Sequence, residues 1–163
     1  MSRYRPPQPK ASPYITRDGY LALEQEAKQL WQRRTEVTKA LAAAAAEGDR
    51  SENAEYIYRK KELREIDRRI RYLQKRMPEL TIVDRQPDNT QQVFFGAWVT
   101  LEDQQGEEKT YRIVGSDEID RAEENISLDS PMAKALLKKM LDDEVSVQTP
   151  SGIIHFIIVE IRY

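Results

Sequence analysis

Residues 48–56 read Gly-Asp-Arg-Ser-Glu-Asn-Ala-Glu-Tyr and gather three carboxylates, Asp49, Glu52 and Glu55, into one short stretch. Asp49 and Glu52 are three apart, which puts them on one face of a helical turn. From there they can present hard oxygens to a cation such as magnesium. Magnesium takes octahedral oxygen ligation, keeps several waters, and is commonly held by one or two protein carboxylates together with substrate phosphate. Two carboxylates are therefore half of a metal site, and another macromolecule has to complete it. The helix dipole that welcomes acids in a first turn opposes the cation, so the isolated chain should hold magnesium weakly. The same spacing also fits a capping box, with Asp49 as the N-terminal acceptor and Glu52 three residues on. Spacing alone leaves both readings open.

The elements that must position these acids are two long apolar-patterned segments. Tyr20, Leu23, Ala27, Leu30, Val37, Leu41 and Ala44 follow a three-four alternation interrupted at Arg34. Tyr56, Leu63, Ile66, Ile70, Leu73 and Met77 repeat it, with Arg59 as the intruder. Such spacing lays an apolar seam along each helix, and the short connection at Gly48 and Asp49 predicts that the two fold back antiparallel and bury the seams together. About 30 residues of helix at about 1.5 Å per residue make a rod of about 45 Å with the acids at its end. Residues 14–78 are thus expected to form a two-helix coiled-coil hairpin, preceded by a flexible proline-rich tail at 1–13 to which no function is assigned.

The chain has 163 residues and a net charge of −2, which conceals a segregation of sign. Residues 59–76 carry nine Lys or Arg against three acids, whereas residues 98–163 carry fourteen acids against seven bases. Within the basic segment, Lys61, Arg64, Arg68, Arg71 and Lys75 recur at alternating spacings of three and four. They form one stripe facing away from the seam, which Arg69 and Arg76 broaden. An ordinary solvated face, with Glu62 and Glu65 pairing with Arg69 and its neighbours, is one reading. The excess of cations favours nucleic-acid phosphate as the counterpart, and a phosphate chain running along the stripe would lead into the acidic tip.

Several classes of chemistry are excluded. With no cysteine and a single histidine, His155, the chain has neither a thiolate metal site nor a serine triad, and it carries no glycine-rich phosphate loop. His155, Trp31 and Trp98 read as strand or packing residues. No apolar run reaches the about 20 residues of a membrane span and no secretory signal is visible, so the cytoplasm is the expected location.

After Pro78 the pattern changes, and residues 79–163 read as a second, strand-rich domain, making the chain α+β. Strands are expected at Leu80–Asp84, Val93–Leu101, Lys109–Val114, Asn125–Leu128, Glu144–Thr149 and Ile153–Ile161, with turns at Gln105-Gly106 and Ser151-Gly152. Ser130 as N-cap and Pro131 at the first helical position predict a short helix over Ala133–Leu141, packed through Leu136, Leu137 and Met140.

The motifs GDRSENAEY, RKKELREIDRRIRYL, FFGAW, RIVG and DSPMAKALLKK, in this order, resemble the bacterial transcript cleavage factors of the GreA/GreB family, and the GreB type in particular. The resemblance covers nearly all of residues 14–163. It implies an N-terminal antiparallel coiled-coil hairpin and an FKBP-like C-terminal domain without prolyl isomerase activity. It implies a monomer that is not itself an enzyme. Its hairpin would enter the secondary channel of a backtracked RNA polymerase, where Asp49 and Glu52 hold the polymerase's second Mg2+ and help orient a water, so that the polymerase hydrolyses its own RNA. The extruded RNA 3′ segment would lie along Lys61, Arg64, Arg68, Arg69, Arg71 and Lys75, the extensive patch that marks the GreB type. Docking on the polymerase rim falls to Ser127, Asp129 and Pro131. The alternative function is a binder that occupies the channel without stimulating cleavage, for which a metal-holding pair would be unnecessary.

Overall fold

The computed structural model describes residues 6–48 and 53–163, so the tip residues Asp49 and Glu52 lie outside the described residues. The elements run β1 (Tyr14–Ile15), α1 (Arg17–Ala46), α2 (Ala54–Arg76), β2 (Thr81–Ile82), β3 (Trp98–Glu102), β4 (Glu108–Val114), β5 (Asn125–Ser127), α3 (Pro131–Leu136), β6 (Glu144–Thr149) and β7 (Gly152–Arg162). They divide into two units, Tyr20–Leu80, and Thr81–Tyr163 joined by the segment ending at Gly19. No helix among the described residues is long and apolar enough to cross a membrane.

The first unit is the hairpin. Val37, Ile66 and Ile70 form its buried cluster, flanked by half-buried Leu30 and Leu63. Leu23, Ala44 and Leu73 are buried as well, in line with the expected seam. Cross-helix bonds give the direction: Glu26 meets Arg69, Arg33 meets Glu62, Arg34 meets Asp67, and the Ala44 carbonyl meets Asn53. From Glu26 to Ala44 along α1 the partner positions fall overall from Arg69 to Asn53, so the helices are antiparallel. The two intruders in the seam are each paired. Arg34 bonds Asp67 at 2.7 Å, while Arg59 bonds Glu55 at 2.8 Å and Glu62 at 3.0 Å. Burial pushes the Glu62 carboxyl up, but the hydrogen bonds from Arg33 and Arg59 outweigh this and hold it below the usual carboxylate range. Trp31, expected to pack, is instead 49% exposed, because it follows Leu30 around the helix and so points off the seam.

The second unit is built on a mixed five-stranded sheet in the order β5-β4-β3-β7-β6, with only β4 and β5 parallel. Its core comprises Val93, Ala97, Val99, Leu101, Ile113, Ala133, Leu136, Val145, Ile158 and Ile161. Three expected elements are altered. Residues 93–97 are buried or half-buried but not a strand: the Ala97 amide turns back to the Phe94 carbonyl, and Gly96 takes φ +88°, so the chain enters β3 only at Trp98. The 80–84 segment yields a two-residue strand that pairs in parallel with β1, apart from the main sheet. Helix α3 stops at Leu136 because the next residues bond elsewhere. Lys138 adopts φ 67° and donates to the Val93 carbonyl, the Val93 amide donates to the Lys139 carbonyl, and Met140 is left exposed.

The segment before α1 belongs to this unit rather than to the hairpin. Thr16 Oγ1 accepts from the Gly19 amide and so caps the first turn of α1. The buried Glu118 carboxylate accepts from the Thr16 amide at 3.0 Å, the Gly115 amide at 2.7 Å and the Thr16 hydroxyl. Gly19 and Gly115 have to be glycine here, since a Cβ on Gly19 would run into the Glu118 side chain and one on Gly115 into the Tyr14 carbonyl. Trp98 lies beneath two cations, with the Arg112 guanidinium 3.8 Å and that of Arg162 5.3 Å from its ring centre. Burial pulls the Arg112 pKa down, against the opposing pull of Glu118 and Asp18.

Candidate nucleic-acid interface

Helix α2 is rich in Lys, Arg and Glu, all strong helix formers, and its buried apolar residues Ile66, Ile70 and Leu73 share one side. Burying that side turns the opposite one to water. Lys61, Arg64, Arg68, Arg71 and Lys75 are all exposed on it. Among the described residues none of the five has an ion-pair partner. The contrast with the other cations of the hairpin is clear. Arg33, Arg34 and Arg59 are paired as above, and Arg69 makes a two-pronged bond to Glu26 with nitrogen-oxygen distances of 2.8 and 3.0 Å. Arg76 is buried, 3.7 Å from Glu79. The broader stripe expected from sequence therefore narrows to five cations. Arg69 is held on the edge facing α1, and Arg76 is turned inward by the seam. Glu62, expected among the partners of Arg69 and its neighbours, instead serves Arg33 and Arg59.

At the tip-proximal end of α2 the N-cap is Asn53, not Asp49. Its side-chain oxygen accepts from the Tyr56 amide at 3.1 Å, and its side-chain nitrogen donates to the Ala44 carbonyl at 2.8 Å. One amide thus caps the start of α2 and satisfies a carbonyl near the end of α1. On the other side of the turn the Glu47 amide bonds the Ala44 carbonyl, and Gly48 takes φ +133°, a region glycine enters without strain. Asn53→Ala is expected to destabilise the hairpin by about 0.5–2 kcal/mol, read as a lowered midpoint in thermal or denaturant unfolding. Asn53→Asp keeps the acceptor and loses the donor, so its stability should fall between the two. An Asp variant as unstable as Ala would show that the Ala44 bond, rather than the cap, carries the effect.

Asp49 and Glu52, the expected metal pair, lie outside the described residues. Their chemistry, two hard carboxylate oxygens three residues apart, suits magnesium as a partial ligand set. Among the described residues there is no group of three or more His, Cys, Asp or Glu able to hold a metal.

In the second unit, Ser127, Asp129 and Pro131 span the turn from the last residue of β5 to the first of α3. Ser127 Oγ accepts from the Asp129 amide at 3.1 Å, the Ser130 amide donates to the Ser127 carbonyl at 2.9 Å, and Ser130 caps α3 through the Ala133 amide at 3.2 Å. Pro131 is exposed at the first turn. The Asp129 carboxylate receives both the amide of Ser12, at 2.9 Å, and its hydroxyl. Sequence reasoning left Ser12 in an unassigned tail, because nothing local marks a residue bound 117 positions away. It also passed over Ile57 and Tyr58, large side chains exposed beside the tip.

Comparison with known proteins agrees with this arrangement. Residues 13–82 match the family model described as the N-terminal part of the transcription elongation factors, and residues 87–163 match the C-terminal GreA/GreB model. Transcription elongation factor GreB of Pseudomonas aeruginosa is 55% identical over 164 residues, covering 100% of this chain and 98% of the relative. The GreB of Haemophilus influenzae is 60% identical over 153 residues, covering 93% and 97%. The two matched segments account for nearly the whole chain in the order hairpin then sheet unit, and the chain belongs to the GreA/GreB family of transcription elongation factors.

Proposed function

We propose that this chain is a transcript cleavage factor acting on RNA polymerase. Its hairpin enters the polymerase's secondary channel and brings Asp49 and Glu52 to the active site, and the polymerase hydrolyses its own backtracked RNA there. The observation that carries this reading is the line of five exposed cations on α2, without ion-pair partners among the described residues, that runs in the direction of Asn53, the residue after Glu52 in the acidic segment. Glu65 and Asp67 lie three or four residues from Lys61, Arg64, Arg68 and Arg71, yet among the described residues no ion pair joins them to these cations, and Asp67 serves Arg34 instead. Left unpaired, the five can neutralise successive phosphates of a single strand, and the segment they hold ends at the carboxylates.

Each group then has a definite task. The stripe holds the extruded RNA and limits its lateral motion. Asp49 and Glu52 supply two oxygen ligands and an acceptor for a proton of the attacking water. Magnesium shared with the polymerase, when bound, lowers the pKa of that water and neutralises charge on the phosphoryl oxygens. The loop of Ser127, Asp129 and Pro131 docks on the polymerase rim, presenting an acceptor and an exposed ring at a fixed helix start.

Adding the protein to stalled, backtracked elongation complexes is expected to shorten the RNA from its 3′ end and restore extension. The protein with labelled RNA and magnesium but no polymerase should leave the RNA intact, because two carboxylates are too few to hold the ion alone. Binding without shortening would leave a channel-blocking protein. Degradation of RNA by the chain alone, lost in Asp49→Ala, would overturn the shared-site mechanism.

A further inference from the structure

Beside the tip, α2 exposes apolar surface that neither the seam nor the cation stripe explains. Ile57 is 53% exposed and Tyr58 60% exposed. At 3.6 residues per turn, Ile57 falls on the line of Lys61, Arg64 and Arg68, and Tyr58, three before Lys61, borders it on the tip side. The Arg59 guanidinium sits 5.5 Å from the centre of the Tyr58 ring, and the Lys60 ammonium 5.8 Å from that of Tyr56. Aromatic rings and cations thus interleave over the first turns of α2, and farther along the stripe Tyr72 is exposed in turn, with the Arg69 guanidinium 5.1 Å from its ring centre. Water gains nothing from an exposed phenol ring at this position, and the seam residues of both helices are already matched without it.

Proteins that hold single-stranded nucleic acid combine a cationic track for the backbone with aromatic rings on which unpaired bases stack, because every base has a π-face whatever its sequence. We propose that Tyr58 is a stacking platform for one unpaired base of the RNA segment that the stripe holds, fixing the register of the strand as it reaches the tip. This rests on the reading of the stripe as an RNA track. The cations of the stripe set where the phosphates run, and the ring sets how far along the strand has advanced. A proteinaceous partner packing on Ile57 and Tyr58 is the competing occupant. It is disfavoured by Lys60 and Lys61, exposed cations that would be buried with the ring, whereas beside a nucleotide they can meet phosphate.

The test uses the full-length protein and deeply backtracked complexes of RNA polymerase. Tyr58→Phe should cleave like the original chain. Tyr58→Leu, which keeps apolar area without the π-face, and Tyr58→Ala should both need about tenfold more factor for half-maximal cleavage, the scale of one lost base stack. Affinity of labelled factor for RNA-free polymerase should be the same for all four proteins. Placing an abasic nucleotide at each extruded position in turn should reproduce the loss at one position, and there Tyr58→Ala should cost nothing further, since the partner of the ring is already gone. Equal cleavage by the Ala variant would overturn the proposal. So would rescue by Leu together with weaker binding of Ala to RNA-free polymerase, which would reveal a protein contact. Absence of cleavage by the unsubstituted chain would instead defeat the underlying functional reading.

Discussion

Stimulated RNA cleavage should fall at least about a hundredfold when Asp49 or Glu52 is replaced by Ala, while affinity for polymerase changes little. Loss of a residue that only supports a metal ligand costs about 10–100-fold, so removing a ligand outright should cost no less. Asp49→Asn and Glu52→Gln keep size and lose charge, and should be nearly as damaged if the carboxylates hold the ion. The structure removes one ambiguity from this test. Helix α2 is capped by Asn53, so the Asp49 variants should retain their helical circular dichroism, and lost activity cannot be ascribed to a lost cap. Cleavage near the original rate in either Ala variant would end the assignment of the tip.

Reversing the stripe with Arg64→Glu, Arg68→Glu and Arg71→Glu together should cripple the rescue of deeply backtracked complexes, by about a hundredfold at moderate salt, and spare complexes backtracked by a few nucleotides. Three phosphate contacts at a slope of about 0.7 each would flatten the logarithmic salt dependence of RNA binding by about 2. Short extruded RNA meets the tip before it meets these residues, hence the selectivity. Helix stability should be nearly unaffected. Glu is as good a helix former as Arg, and the neighbours at positions 64, 68 and 71 remain like-charged pairs after the change. RNA crosslinking to α2, followed with salt, gives the direct readout. Undiminished cleavage of both kinds of complex would make the stripe a solvated face.

The hairpin was legible in sequence because its determinants are local. Heptad spacing puts Val37, Ile66 and Ile70 on facing sides, and a glycine at 48 breaks the helix between them. The N-cap Ser130 with Pro131, and strands β6 and β7, were legible for the same reason, since a cap, a two-residue period and a glycine turn need no distant partner. The five-cation stripe follows from spacing alone, once one side of α2 is committed to the seam.

What the sequence could not determine depends on groups far apart in the chain. Which cations remain unpaired was decided by α1, whose Glu26 claims Arg69, 43 positions away. The cap of α2 moved from Asp49 to Asn53, whose amide both caps its own helix and donates to the Ala44 carbonyl opposite, which a carboxylate cannot do. The short helix α3 ended early because residues 138 and 139 found backbone partners at Val93. Ser12 on Asp129, and Thr16 on Glu118, pair residues more than a hundred positions apart. Periodicity records which side of an element is buried and is silent about what lies against it. Composition and spacing therefore determined the seam and the stripe, and tertiary packing alone decided which polar groups were used up in holding the fold and which were left exposed.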